Sequence, residues 1–182
     1  AGRVAVTADN SLIALNYHPE GGLEITNAVT RIGSSSWTSP AIKPLLNQPV
    51  IGSDGTIYGI SSKPPPIPIP SGGTSYSILA TNQLYALTAQ GEFKTEPLAE
   101  SSIHSLPAVG QDGSLFFAST KITPVSLGGI TGYQVEDNFI SMSADLKTER
   151  WKIPLSQCGA PAIGAGNQVY VGSSFKLYAL DD

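Results

Sequence analysis

Three side chains fall at one position of a repeated pattern: Trp37, His104 and Cys158, each three residues before a proline, Pro40, Pro107 and Pro161. A thiol beside an imidazole can serve as a nucleophile with its base or as two ligands of a transition metal, and an indole offers a stacking face. Either chemistry also needs a third ligand or an orienting carboxylate, and none accompanies these residues at a recognisable spacing. The chain carries no Gly-rich phosphate loop, His-Glu-x-x-His pattern or nucleophile elbow. No catalytic, cofactor-binding or metal-ligating residue is therefore assigned. Cys158 is the one cysteine, which excludes an intramolecular disulfide and a cysteine-cluster metal site.

The elements that would position these residues emerge from internal repeats. The tetrads at 39–42 (SPAI), 106–109 (LPAV) and 160–163 (APAI) share one signature, read as a first strand, A. A turn follows each of them: Asp54-Gly55 before Thr56-Ile57-Tyr58, Asp112-Gly113 before Ser114-Leu115-Phe116-Phe117, and Gly166-Asn167 before Val169-Tyr170-Val171. Asp-Gly and Gly-Asn accept positive φ cheaply, so A and the β-branched or aromatic strand B that follows are expected to be antiparallel neighbours. A third strand, C, is read at 11–15 (SLIAL), 83–87 (QLYAL), 138–142 (NFISM) and 176–180 (KLYAL), with a small residue that lets neighbours pack closely. Strand D follows near 23–26, 92–95 and 146–153. Residues 1–6 align with 165–170, which predicts that the chain starts at an A–B turn and ends after a strand C. Residues 105–155 form the one complete unit.

This pattern resembles the quinoprotein-type propeller repeat, in which strands C and D are joined by Leu-Tyr-Ala-Leu-Asp, a Gly turn and a docking Trp. Residues 176–181 (KLYALD) and 83–91 (QLYALTAQG) match its first half. Trp151, after Ala144-Asp145-Leu146-Lys147, keeps the tryptophan; Thr95 stands at that place in the second unit, and the first unit offers no counterpart. The resemblance implies an all-β fold, a β-propeller of four-stranded antiparallel blades. About four blades are expected, near 1–30, 37–98, 104–155 and 158–182, within a single domain or propeller fragment and with the first and last incomplete. Members of the family include cofactor-dependent dehydrogenases and cofactor-free scaffolds such as an outer-membrane assembly lipoprotein. The fold alone does not choose between them; because the sequence offers no catalytic motif, the expectation is a non-catalytic binding or scaffolding module without cofactor. Its alternative is a fragment of an oxidoreductase that uses pyrroloquinoline quinone (PQQ) with calcium, its active site mainly on blades not present. A quinone site needs a stacking aromatic with carboxylate and amide groups converging on a cation, and four blades of this sequence do not assemble that set. Missing terminal strands imply self-association or complementation by further blades.

Two insertions interrupt the repeat between strands B and C: 61–77 (SSKPPPIPIPSGGTSYS) and 121–138 (KITPVSLGGITGYQVEDN). Proline cannot donate to a sheet ladder, so the first is expected to leave its blade as an extended excursion. Both emerge on the rim that would carry Trp37, His104 and Cys158 around the mouth of a central channel. That rim is the candidate face for a protein or glycan, with Pro65, Pro66, Tyr76 and Tyr133 as loop contacts. His18, in a turn, is read as solvated.

Composition excludes other partners. The net charge is −4, and the ten Lys and Arg residues are scattered, so no footprint for nucleic acid or an anionic membrane exists. No apolar run approaches the roughly 20 residues a spanning helix needs. The low cysteine count, with Ala1 in place of Met, fits an extracytoplasmic or secreted protein, and a single cysteine equally fits the cytosol.

Overall fold

A computed structural model describes residues 4–19, 25–33, 35–39, 49–63, 81–94, 102–103, 105–127 and 130–181. Among them no α-helix occurs, and no helix is long and apolar enough to cross a membrane. The described residues form four antiparallel sheets in sequence order. The first holds β1 (Val4–Val6), β2 (Leu12–Pro19), β3 (Ile25–Ile32) and β4 (Trp37–Thr38). The second holds β5 (Val50–Ile51), β6 (Ile57–Lys63) and β7 (Thr81–Leu87). In the third, β8 (Ser102–Ile103) and β9 (Ala108–Val109) both pair with β10 (Leu115–Leu127), followed by β11 (Ile130–Met142) and β12 (Glu149–Pro154). The fourth holds β13 (Ala162–Ile163), β14 (Val169–Ser173) and β15 (Lys176–Leu180).

One turn sets the register of the first three sheets. Asn10, Gly55 and Gly113 take φ of 62°, 80° and 86°, and Thr7, Gly52 and Gly110 donate their N–H to the carbonyls of Ser11, Thr56 and Ser114 at 2.9, 2.8 and 2.7 Å. Residues 7–11 are therefore the first turn of the first sheet. Two expectations are corrected by this: β1 is that sheet's first strand, so the sheet has four strands, and residues 12–15 lie on its second strand. Its third strand is β3. Likewise the strand before the Asp54 turn is β5, next to Pro49, and not the tetrad at 39–42, of which only Ser39 is described.

Each turn is closed by a carboxylate, a hydroxyl and a cation. Asp54 accepts from the Thr56 hydroxyl at 2.7 Å and pairs with Lys94 at 3.1 Å. Asp112 accepts from the Ser114 hydroxyl at 2.6 Å and pairs with Arg150 at 3.0 Å. Asp9 accepts from the Ser11 hydroxyl at 3.1 Å and pairs with Arg31 at 2.5 Å. The Ser114 hydroxyl, helped by its backbone N–H, by Asn167 and by Arg150, holds the Asp112 carboxyl down at about 2. A depressed carboxylate stabilises the fold above the ordinary pKa of about 4 and loses that contribution as pH falls through about 2. Asp112→Asn is expected to cost about 0.5–1 kcal/mol at neutral pH, the low end because the pair is half exposed. The difference from the parent chain, measured by urea unfolding, should shrink steadily from pH 4 and vanish only below about pH 2.

The sheets stack face on face, and one cross-strand ladder recurs in all four. Val6 pairs with Leu12 and Leu12 with Ile32; the same positions hold Ile51, Ile57 and Leu87, then Val109, Leu115 and Met142, then Ile163, Val169 and Leu180. In the second, third and fourth sheets this ladder is buried or half-buried in the layer shared with the preceding sheet. Because successive strand residues point to opposite faces, the residues one step along face the following sheet. Tyr58 meets Leu115 and Phe117 in one layer, and Phe116 meets Val169 and Val171 in the next. The middle sheets are thus buried on both faces, which is why their strands read as unbroken apolar runs (IYGI, LYAL, LFFA). Hydrogen bonds cross the layers too: the Tyr58 hydroxyl donates to the Ala144 carbonyl at 3.2 Å and the Gln111 N–H to Asn167 Oδ1 at 2.8 Å.

The insertion at 121–138 is not a loop. Its residues continue β10 and β11 as a hairpin, paired from Lys121 with Glu136 out to Leu127 with Ile130, and 128–129 lie outside the described residues. Of the Pro-rich insertion, 61–63 end β6 and 64–77 lie outside the described residues.

Candidate functional site

The short first strands of the sheets lie side by side. β5 contacts β9, and β9 contacts β13. Beside them Ala5, Val6, Pro49, Val50, Ile51 and Leu106 line an open depression of about 310 Å³. Its side chains are all apolar, so it can receive an apolar group, and the polar part of its lining is backbone. Among the described residues, no carboxylate, side-chain amide or aromatic plane of the kind that would hold a quinone with calcium lines the depression, and no step through that group follows from it. Among the described residues no group of three His, Cys, Asp or Glu is placed to hold a metal ion.

Of the three residues expected around the channel mouth, Trp37 and Cys158 lie in two different layers, and His104 lies outside the described residues. Trp37 lies half-buried between the first and second sheets, its Nε1–H donating to the Ala89 carbonyl at 2.8 Å. Its ring lies so close to Gly91 that a Cβ there would collide with it. On β4 it pairs with Arg31, as Trp151 on β12 pairs with Ser141, and these partners each precede the ladder residue of the third strand. Trp37 is the first sheet's counterpart of Trp151, the tryptophan that sequence alignment did not find. The tetrad at 39–42 puts Trp37 in the connection before a strand A, whereas it lies on β4, the fourth strand of the first sheet. Trp151 packs against Phe116 and Phe139 at ring separations of 5.9 and 6.0 Å, within the third layer.

Cys158 is buried in the layer between the third and fourth sheets. It bridges to Ser173, five residues into the strand that starts at Val169, as Ile103 pairs with Ser119 in the strand that starts at Leu115. Its counterpart is therefore the core residue Ile103, and the thiol acts as a small hydrophobe whose proton points to the Leu155 carbonyl at 3.4 Å. Burial pushes its pKa up, away from the thiolate range of a nucleophile. Labelling with a water-soluble disulfide reagent at neutral pH is expected to be slow in the folded chain and to become fast at the denaturant concentration that unfolds it. Fast labelling without denaturant would contradict this burial.

His104, Pro65, Pro66 and Tyr76 lie outside the described residues. Tyr133 stands on β11 opposite Pro124, in the distal part of the long hairpin. His18 ends not in a turn but on β2, opposite Thr26. What the sequence reading missed is the triad closing each turn: its signal was the Asp-[Asn/Gly]-[Ser/Thr] pattern at 9–11, 54–56 and 112–114, visible only with the first copy included. No protein-family model matches the chain, and comparison with curated proteins returns no match.

Proposed function

We propose that the chain is a β-propeller-type module of quinoprotein-like blades that binds or scaffolds a protein or glycan without doing chemistry. The observation that carries this reading is the stacking of four sheets in chain order through one recurrent ladder, with the first strands β5, β9 and β13 adjacent. In this reading each sheet is a blade and the first strands line the axis. The hairpins β2–β3, β6–β7 and β10–β11 then leave together from the end opposite the aspartate turns. The extension of β10 and β11 supports a partner face on that rim: beyond the registers shared with β8 and β12 it is a two-stranded arm whose Thr123, Gln134, Val135 and Glu136 are exposed. At about 3.3 Å per residue such an arm reaches roughly 20 Å.

Reconstitution with PQQ and calcium, followed by absorbance and by dye reduction with alcohols and aldoses, is expected to give no turnover. Dye reduction requiring both additions would overturn the non-catalytic reading. Glycan arrays and displayed peptides supply the binding arm of the test. Replacing 124–133 by an Asn-Gly turn beneath the Thr123–Gln134 pair should abolish binding while leaving the unfolding midpoint unchanged; binding that survives would place the partner elsewhere.

A further inference from the structure

The ladder that receives the preceding sheet is buried or half-buried in three sheets and open in the first. Val6, Leu12 and Ile32 are 62%, 41% and 53% exposed, although Ile57, Leu115 and Val169, at the position of Leu12, are at most 1% exposed. The face that receives the following sheet is likewise open in the fourth. There Ala162 pairs with Tyr170 and Tyr170 with Ala179, and Gly172 pairs with Leu177. Tyr170, at the position of Tyr58 and Phe116, is 37% exposed, and Leu177 is 76% exposed. The chain thus carries both halves of a contact that it makes three times internally, each half displayed to solvent.

We infer that the Val6–Leu12–Ile32 face of one copy is occupied by the Tyr170–Leu177–Ala179 face of a second copy, continuing the stack across molecules. Three features favour a second copy over an unrelated partner. Ladders at these same two positions already pack together in three layers within the chain, so the mode of packing has internal precedents. Neither ladder carries a charge, so closure strands no ion. The pairing of a small–aromatic–small ladder with an aliphatic one repeats the internal layer formed by Ala108, Phe116 and Ser141 against Ile163, Val169 and Leu180. Because the two faces differ, the contact is heterologous: it closes into a ring if the rotation permits and otherwise runs on as an open chain.

The inference shares only the stacked-sheet architecture with the proposed function, and the dye-reduction result leaves it untouched. Sedimentation velocity of the 182-residue chain over a concentration series is expected to show dimers or larger species. Leu12→Arg and Tyr170→Arg each place a charge in one face only and should weaken association by at least about tenfold. Mixing the two variants should restore a dimer, because each keeps the half that the other has lost, and that dimer should not extend further. Ile32→Lys and Leu177→Lys form a second complementary pair should either arginine variant prove unstable by circular dichroism. A parent chain that stays monomeric overturns the inference, and so do variants without effect. Mixing that fails to restore the dimer overturns it as well.

Discussion

Replacing Gly91 by alanine is expected to destabilise the fold by about 2–4 kcal/mol. Two penalties coincide there. Gly91 takes φ of 87°, where a Cβ costs about 1–2 kcal/mol, and the added Cβ would enter the Trp37 ring. The ring has little freedom to retreat, since its Nε1–H is fixed to Ala89, two residues before Gly91, and the Arg31 guanidinium donates to the same carbonyl at 3.2 Å. Gly166→Ala separates the two penalties: its φ is 69° but no atom lies within 4 Å of the added Cβ, so only the backbone cost of about 1–2 kcal/mol is expected. Urea unfolding of the two variants decides the matter. Equal losses would mean that the tryptophan does not lock the first sheet onto the second.

That contact also marks where the sequence was legible and where it was not. The all-β class and the repeated units could be read from Asp-Gly turns and from apolar runs, because turn chemistry and two-sided burial are local signals. The placement of Trp37 could not. A strand of two residues such as β4 or β5 carries no periodicity, so composition alone points to the tetrad at 39–42, and it is cross-strand pairing with Ile57 and Tyr58 that identifies β5. The first turn was missed for a related reason: Asn10 does there what Gly does at 55 and 113, and its positive φ is invisible in a search for Asp-Gly. Cys158 shows the limit for sites. Its spacing to Pro161 matched that of His104 to Pro107, yet its bridge to Ser173 places it with Ile103, one residue earlier. Trp37 and Cys158 each pack in an apolar layer, and the two layers are separate.

Phe116→Ala and Phe117→Ala should each cost about 3–5 kcal/mol, although the two residues adjoin and are both fully buried. They serve different layers. Phe117 packs with Tyr58, Ile60 and Leu84 of the second sheet, and Phe116 with Trp151, Val169 and Val171 on the side of the fourth. Hydrogen exchange should distinguish them where total stability does not. Phe116→Ala should raise exchange in β14 and β15 and leave β6 and β7 protected, and Phe117→Ala should expose β6 and β7 more than β15. The same exchange pattern in both variants would mean that the four sheets open as one cooperative unit.

Each apolar layer joins two sheets that are consecutive in the chain, as Ile13 to Ile57, Tyr58 to Leu115 and Phe116 to Val169 illustrate. No layer waits for a distant part of the polypeptide, which keeps the loop-closure cost of each step small for a β protein. On the ribosome, the first layer can therefore close when the second sheet has emerged, while the fourth is still being synthesised. The order of assembly is then the order of translation, and at each stage the newest sheet joins the first in keeping one face unburied.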